Sequence, residues 1–220
     1  MQIMSSKRLI VALDFENFDE MSKFVANLDP NSCVVKVGLQ LFIAEGAKVL
    51  EFLSLKGFEI FLDLKLHDIP NTVNKAVKEI SRFNVSMTTI HLQGGIEMIA
   101  AANEAKANIK ILGVSLLTSL DGSDTKMLYS NDFDKQFNNL IAVAKNSEVD
   151  GVVCSSKELL MLSDSPLLKV VPGIRNQNLL DDQKRTMTSS EAYKNGADYI
   201  VVGRPITQSS NIKDAIKEYS

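Results

Sequence analysis

Apolar and polar positions along the chain form two alternating patterns. Short runs rich in β-branched residues predict eight strands, at Leu9–Leu13, Cys33–Val37, Glu59–Lys65, Met87–Leu92, Ile109–Leu116, Asp150–Cys154, Leu168–Val171 and Asp198–Val202. In the segments between them, apolar residues return every three or four positions, which predicts amphipathic helices. The clearest of these helices are Asn17–Leu28, Gln40–Leu55, Asn71–Phe83 and Gly95–Ala107.

Repetition of strand and helix predicts an α/β fold, the (β/α)8 or TIM barrel, because parallel strands need crossover helices. One such barrel runs to about 250 residues as a single unit, and no linker rich in proline, glycine or serine divides this chain. We therefore expect one domain over residues 1–220. Two stretches without either pattern, Thr118–Phe133 and the segment after Gly173, are expected to be loops beside the barrel mouth.

Unusual polar residues stand at the C-terminal ends of the predicted strands, where barrels carry their active sites. They are Asp14 after the first strand, Lys36 in the second, Asp63 and Lys65 in the third, Thr118 after the fifth, Gly173 and Arg175 after the seventh, and Gly203 and Arg204 after the eighth. Side chains alternate in direction along a strand. Asp14 and Lys36 are therefore expected to point into the barrel mouth.

The third strand carries charges where a buried strand should be apolar. Alternation places Ile60, Leu62, Leu64 and Leu66 on one face and Phe61, Asp63 and Lys65 on the other. With Lys36 and with Asp68, which precedes a proline suited to a first helical turn, Asp63 and Lys65 would form a nearly neutral network of alternating charges. A lysine flanked by carboxylates should stay protonated, which makes Lys65 a proton donor rather than an amine nucleophile. The alternative interpretation is an ion-pair network that serves structure alone.

A second group of residues has the chemistry of a phosphate site. Gly203 and Arg204 follow the eighth strand ahead of a helix, so backbone N–H groups and a guanidinium would face an anion there. The loop Pro172–Arg175 follows the neighbouring strand, and Gln183, or alternatively Gln177, would close over the same anion. A plain turn with a surface arginine is the other interpretation, but barrels often bind phosphate at this position.

Composition argues against several classes of function. The net charge is −3 and the basic residues are spread along the chain, so no nucleic-acid patch is expected. No apolar run approaches the length of about 20 residues that spans a membrane, and Met1–Lys7 lacks the apolar core of a signal peptide. The cysteines, Cys33 and Cys154, lie far apart in apolar runs, which favours reduced thiols in a cytoplasmic protein over a disulfide or a metal site.

The sequence gives little indication of cofactor chemistry or of catalysis by histidine. The chain has no glycine-rich fingerprint of a nucleotide cofactor and no metal-ligand spacing, so neither a cofactor nor a metal is expected. His67 is expected to orient its loop, and His91 either to line the mouth or to be a hydrogen-bonded core residue. Neither histidine is assigned to catalysis.

Seven motifs extend over nearly the whole chain: Val11–Asp14, Val35–Gly38, Asp63–Thr72, Leu117–Ser119, Pro172–Arg175, Asp182–Arg185 and Val202–Thr207. Together they resemble the orotidine 5′-phosphate decarboxylase family in its shorter bacterial form. The run Asp63–Thr72, which reads DLKLHDIPNT, is highly specific. The resemblance implies a cofactor-free enzyme that converts orotidine 5′-monophosphate to UMP and carbon dioxide, the last step of UMP synthesis.

The resemblance also implies roles for single residues. Lys65 would protonate C6 of the pyrimidine as carbon dioxide departs, and Asp63 would lie against the substrate carboxylate. Lys36 and Asp68 would complete the catalytic array, and Asp14 and Lys36 would contact ribose hydroxyls. Residues expected to bind the substrate are Asp14, Lys36, Asp63, Leu64, Lys65, Leu66, His67, Asp68, Ile69, Pro70, Asn71 and Thr72, with Thr118 at the pyrimidine edge and Arg175, Gln183, Gly203 and Arg204 at the phosphate.

Partners and alternatives follow from the same resemblance. Asp68, Ile69 and Thr72 would reach the partner subunit's site, which implies an obligate homodimer with shared active sites. One alternative is the magnesium-dependent branch of the same barrel superfamily, the sugar-phosphate decarboxylases and synthases. That branch keeps an Asp-x-Lys-x-x-Asp core without the His-Asp-Ile-Pro-Asn-Thr continuation, so the sequence favours the decarboxylase. A second alternative is a catalytically silent barrel that binds a nucleotide.

Overall fold

The computed structural model describes residues 7–163, 165–176 and 187–220. Parallel strands close a barrel in chain order, and they are β1 (Leu9–Ala12), β2 (Val34–Gly38), β3 (Ile60–Leu66), β4 (Val85–His91), β5 (Lys110–Val114), β6 (Gly151–Val153), β7 (Leu168–Pro172) and β8 (Tyr199–Val202). Strand β1 pairs with both β2 and β8, which completes the ring. The predicted (β/α)8 barrel is therefore confirmed, and each strand lies within two residues of its predicted bounds.

Helices connect the strands around the outside of the barrel. They are α1 (Phe18–Val25), α2 (Leu39–Glu45), α3 (Ala47–Leu55), α4 (Pro70–Ile80), α5 (Gly95–Ala105), α6 (Gly122–Tyr129), α7 (Phe133–Asn146), α8 (Ser156–Leu160), α9 (Ser189–Lys194), α10 (Arg204–Thr207) and α11 (Ile212–Tyr219). Within the described ranges, no helix is both long enough and apolar enough to cross a membrane.

Two predictions about these connections were wrong. The single helix expected over Gln40–Leu55 is divided into α2 and α3 at Gly46, whose φ of +62° suits glycine better than any other residue. The stretch Thr118–Phe133 is not irregular, because it contains α6. That helix begins with a capping box, in which the Asp121 side chain accepts from the backbone of Asp124 and the Asp124 side chain accepts from the backbone of Asp121.

Apolar residues divide into a large cluster between strands and helices and a small one inside the barrel. The inner cluster consists of Ile10, Ala12, Val34, Phe61, Met87, Leu112, Val170, Tyr199 and Val201. Alternation along β2 and β3 continues the rows of Val34 and Phe61 into Lys36 and Asp63, and the ammonium group of Lys65 lies against Asp63. The inside of the barrel is thus apolar in its middle and charged at its C-terminal rim.

Candidate active site

Charged side chains at the ends of β2 and β3 contact one another at the barrel mouth. Lys65 Nζ lies 2.9 Å from both carboxylate oxygens of Asp63. Lys36 Nζ lies 3.8 Å from Asp63 Oδ2 and 3.1 Å from Asp14 Oδ1. The side chains of Lys36 and Asp63 are only 12% and 13% exposed. The result is a row of alternating charges, Asp14, Lys36, Asp63 and Lys65, whose sum is zero, which lowers the cost of partial burial.

Lys65 has an unusual backbone for a strand residue. Its φ is +51°, in the left-handed region that costs a non-glycine residue about 1–2 kcal/mol. The register between β3 and β4 shifts at this point. Leu62 pairs with Thr88 and Leu66 pairs with Ile90, so four residues along β3 correspond to two along β4. The regular alternation predicted to the end of the strand is therefore interrupted at the residue that carries the ammonium group.

Thr89 of β4 contacts both members of the central pair. Its hydroxyl accepts a hydrogen bond from the backbone N–H of Lys65 at 2.8 Å and donates one to Asp63 Oδ1 at 2.9 Å. The sequence did not single out Thr89, because a threonine in a strand is ordinary. Its place two residues after Met87, on the row that points into the barrel, was the available signal.

An open cleft lies against the charged row. Its polar groups come from Lys36, Asp63, Lys65, Thr118 and Ser155. Most of the remaining lining is apolar, from Phe61, Val114, Leu116, Leu117, Val153, Pro172 and Val201. Largely apolar walls with a few converging polar groups are typical of sites for small molecules. Thr118 thus lies at the same cleft as the charged row.

Asp68 does not join this row. Its side chain is exposed, and Oδ1 accepts from the backbone N–H of Ile69 at 2.7 Å. Among the described residues it forms no ion pair within 4 Å. The expected quartet therefore does not assemble within one chain, because β3 ends at Leu66 and Asp68 already lies in the turn that leads into α4. Asp14 takes the fourth place instead.

The rest of the run that ends at Thr72 lies at the surface of the mouth. Its exposed members are His67, Asp68, Ile69, Asn71 and Thr72, and its partly buried members are Leu64, Leu66 and Pro70. Pro70 is the first residue of α4, as its position predicted. Ile69 is a large apolar side chain that is 66% exposed beside the mouth.

The expected phosphate residues follow β7 and β8. Gly173 has φ +77°, and the backbone N–H of Arg175 beyond it donates to Met187 O at 3.0 Å. Gly203 precedes α10, and a Cβ built on it would stand 3.8 Å from Asp14 Oδ2. Arg175 is partly buried and Arg204 is exposed. The remaining candidates at this end, Gln183 and its competitor Gln177, lie outside the described residues.

The rings of His67 and His91 contact each other beside the charged row, with centroids 5.3 Å apart and planes tilted by 41°. His91 Nδ1 is buried and has no hydrogen-bond partner among the described residues, so His91 is not the hydrogen-bonded core residue that was one of its two interpretations. Burial lowers the pKa of His91, and the positive charges of His67 and Lys65 lower it further. His91 is therefore held neutral near pH 7.

Both cysteines are free and buried. Burial raises the pKa of Cys33 to about 12 and also raises the pKa of Cys154, for which the carboxylate of Glu158 is a second cause. Neither thiol therefore has the character of a nucleophile.

Comparison with known proteins identifies the family. Residues 7–219 match the model of the family described as "Orotidine 5′-phosphate decarboxylase / HUMPS family". The chain belongs to this family. The orotidine 5′-phosphate decarboxylase of Saccharophagus degradans is 41% identical over 220 residues, which cover 96% of this chain and 92% of that protein. The enzyme of the same name from Legionella pneumophila (strain Corby) is 40% identical over 219 residues, which cover 95% of this chain and 96% of that protein.

The barrel agrees with a solved member of the family. The crystal structure of orotidine 5′-phosphate decarboxylase from Lactobacillus acidophilus aligns with a TM-score of 0.86 at 35% identity, covering 98% of this chain and 100% of that chain. The family resemblance inferred from the motifs is thus confirmed. The names of these relatives favour the decarboxylase interpretation over the magnesium-dependent branch.

Proposed function

We propose that the whole chain, residues 1–220, acts as one barrel domain that converts orotidine 5′-monophosphate to UMP and carbon dioxide without a cofactor, with Lys65 as the proton donor. The observation that carries this proposal is the contact of Lys65 with Asp63 at the cleft, where both carboxylate oxygens lie 2.9 Å from the ammonium group. An ammonium group held at a fixed place can stabilise negative charge without reorganising as that charge develops.

The chemistry requires charge stabilisation above all. When the bond between C6 and the carboxyl carbon breaks, its electron pair stays on an sp² carbon that cannot delocalise it. Lys65 Nζ then gives one proton to C6, and carbon dioxide leaves. Asp63 would face the substrate carboxylate, so that repulsion between the two anions favours departure of carbon dioxide. Lys36, 3.8 Å from Asp63, would keep that carboxylate ionised and oriented.

The remaining residues would bind the parts of the substrate that do not react. Asp14 and Lys36 would contact ribose hydroxyls, and Thr118, which lines the cleft, would hold the pyrimidine edge. Arg175, Gln183, Gly203 and Arg204 would bind the phosphate. The short distance from Gly203 to Asp14 supports a ligand that extends from the charged row towards β8. Binding energy at the phosphate would then contribute to catalysis at C6.

The active enzyme would be a homodimer with shared sites. Asp68 has no ion-pair partner within its own described chain, and Ile69 beside it is 66% exposed. Ile96 on α5, the helix that packs against α4, is 53% exposed. These observations support a partner subunit that covers the apolar surface and receives Asp68, Ile69 and Thr72 at its own cleft. The free buried thiols support a place in the cytoplasm.

The test is turnover of orotidine 5′-monophosphate, followed by its ultraviolet absorbance, with EDTA present. We expect full activity of the wild-type protein in EDTA and loss of turnover in Lys65→Ala. The backbone of residue 65 is equally strained with lysine or alanine, so this variant should keep its fold, which circular dichroism checks. Lys78→Ala, which removes an exposed lysine of α4, is the matched control and should retain wild-type activity.

Three other outcomes would each favour a different function. Activity lost in EDTA and restored by Mg²⁺ would favour the sugar-phosphate branch. Tight binding of UMP without any turnover would favour a silent nucleotide-binding barrel. No binding of either nucleotide would leave the charged row as a structural ion network.

A further inference from the structure

The hydroxyl group of Thr89 links the two charged residues at the centre of the site. Thr89 is completely buried on β4. Its oxygen accepts from the backbone N–H of Lys65 at 2.8 Å, while its proton goes to Asp63 Oδ1 at 2.9 Å. The side chain of Thr89 thus restrains both the main chain of Lys65 and the carboxylate of Asp63.

The irregular strand explains why such a link is needed. Between the pairs Leu62–Thr88 and Leu66–Ile90, the three residues at 63–65 have no register partner on β4. Lys65 also has φ +51°, which an L-residue keeps only when its surroundings hold it there. A partly buried N–H group without an acceptor destabilises the fold, and the Thr89 hydroxyl supplies the acceptor for the N–H of Lys65.

The carboxylate of Asp63 has a similar need for orientation. Both of its oxygens face Lys65 Nζ, and Oδ2 also faces Lys36 Nζ at 3.8 Å. Ammonium groups on flexible stems do not fix the plane of a carboxylate, because they can follow it as it rotates. The hydroxyl of Thr89 stands on a β-branched side chain with restricted rotation. It is therefore the rigid contact of Asp63.

We infer that Thr89 is a positioning residue for decarboxylation, which holds the Asp63 carboxylate and the Lys65 main chain in the geometry that turnover requires. This inference rests on the proposed function, because Thr89 acts only through the two residues that it contacts. It predicts that loss of the hydroxyl lowers kcat rather than raising KM, since the groups assigned to ribose and phosphate remain in place.

Thr88 provides a matched control from the same strand. It is equally buried, and its hydroxyl donates to Leu62 O at 2.8 Å. It points to the opposite face of β4 and contacts neither Asp63 nor Lys65. Thr88→Val and Thr89→Val each replace one buried hydroxyl with a methyl group. Only Thr89→Val removes a hydrogen bond to Asp63.

The experiment compares kcat and KM for orotidine 5′-monophosphate in Thr89→Val, Thr89→Ser and Thr88→Val, with melting temperatures for all three. A misplacement of reacting groups by about 1 Å can cost about 100-fold in rate, so we expect a loss of kcat of about that size in Thr89→Val with KM nearly unchanged. Thr89→Ser should recover most of the rate. Thr88→Val should lose stability but keep kcat close to that of the wild type.

Equal losses of kcat in the two valine variants would overturn the inference, as would a serine variant no more active than the valine variant. If Thr89→Val does not fold, Thr89→Cys replaces it, because a thiol is close in size to a hydroxyl but hydrogen-bonds weakly. The serine variant should then exceed the cysteine variant in kcat, and equal rates would refute the inference. Lys65→Ala distinguishes failure of the proposed function from failure of this inference. If Lys65→Ala retains turnover, the proposed function fails. If it loses turnover, the comparison of the Thr89 variants tests the positioning role alone.

Discussion

The ammonium group of Lys36 occupies the space that a side chain on Gly38 would need. A Cβ built on Gly38 stands 2.9 Å from Lys36 Nζ and 3.4 Å from Asp14 Oδ1. Lys36 and Gly38 both belong to β2 and, two residues apart, lie on the same side of the strand. The absence of a side chain at position 38 therefore keeps Lys36 between its two carboxylates.

Gly38→Ala should lower activity without unfolding the protein. The backbone of Gly38, with φ −96°, is open to any residue, and the atom that must move is the end of a flexible lysine. We expect kcat/KM to fall by about tenfold or more as Lys36 is displaced, which corresponds to about 1.4 kcal/mol of transition-state stabilisation. The melting temperature should change little. Unaltered kcat/KM would show that the position of Lys36 is not critical.

The proposed homodimer with shared active sites predicts complementation between two inactive variants. Lys65→Ala and Asp68→Asn should each be inactive alone. In a heterodimer of the two, one site combines the intact Lys65 of one subunit with the intact Asp68 of the other. An equal mixture after subunit exchange should recover about a quarter of wild-type activity, since half of the dimers are mixed and each has one intact site of two. No recovery in dimers that have exchanged would show that Asp68 serves its own chain.

His91 should make the folded state less stable in acid. Its pKa is lowered from 6.5 on folding, so the unfolded chain binds a proton at a higher pH than the folded one. Stability is therefore unaffected by this group above about pH 6.5 and falls as the pH drops below it. His91→Gln should weaken the decrease in melting temperature between about pH 7 and about pH 5.

The histidine titration itself can be observed directly. The chain has two histidines, so the variant His67→Gln leaves His91 as the only imidazole signal in a proton NMR spectrum. Its midpoint should lie below 6.5, although removal of the positive neighbour should raise it relative to the wild-type protein. A midpoint above 6.5 would contradict the burial of this ring.

The two thiols should be inert in the folded protein. Burial raises the pKa of Cys33 to about 12 and raises that of Cys154 as well, so neither presents a thiolate at neutral pH. We expect no reaction with a disulfide reagent such as DTNB under native conditions and release of two equivalents of thionitrobenzoate after denaturation in guanidinium. Rapid modification of either cysteine before unfolding would contradict this.

The sequence predicted the barrel because its signals are local. Each strand is a short apolar run, and alternation correctly separated the inward row of Phe61 and Asp63 from the outward row of Ile60 and Leu62. The break at Gly46 and the helix α6 were missed for different reasons. A glycine inside an apolar period does not by itself end a helix, and the capping box at Asp121 uses aspartate where glutamate is usual.

The site was harder to predict than the fold, because its geometry depends on contacts between strands. Alternation brought Lys65 and Asp63 to the same side, but the register shift and the left-handed backbone follow from how β3 meets β4. The contact with Thr89 follows from the same shift. Asp68 was predicted to join the charged row because it is close to Lys65 in sequence. Within one chain it does not reach the row, because β3 ends at Leu66 and Asp68 lies in the turn that follows.

The kink at Lys65 bears on attempts to transplant this chemistry. Copying Asp-Leu-Lys onto an unbroken strand of another barrel would leave the amide of the lysine in the ladder and send its side chain along a different path. A successful graft would have to carry a short irregular segment, together with an oxygen acceptor from the adjoining strand. The portable unit is thus a fragment of two neighbouring strands rather than a tripeptide.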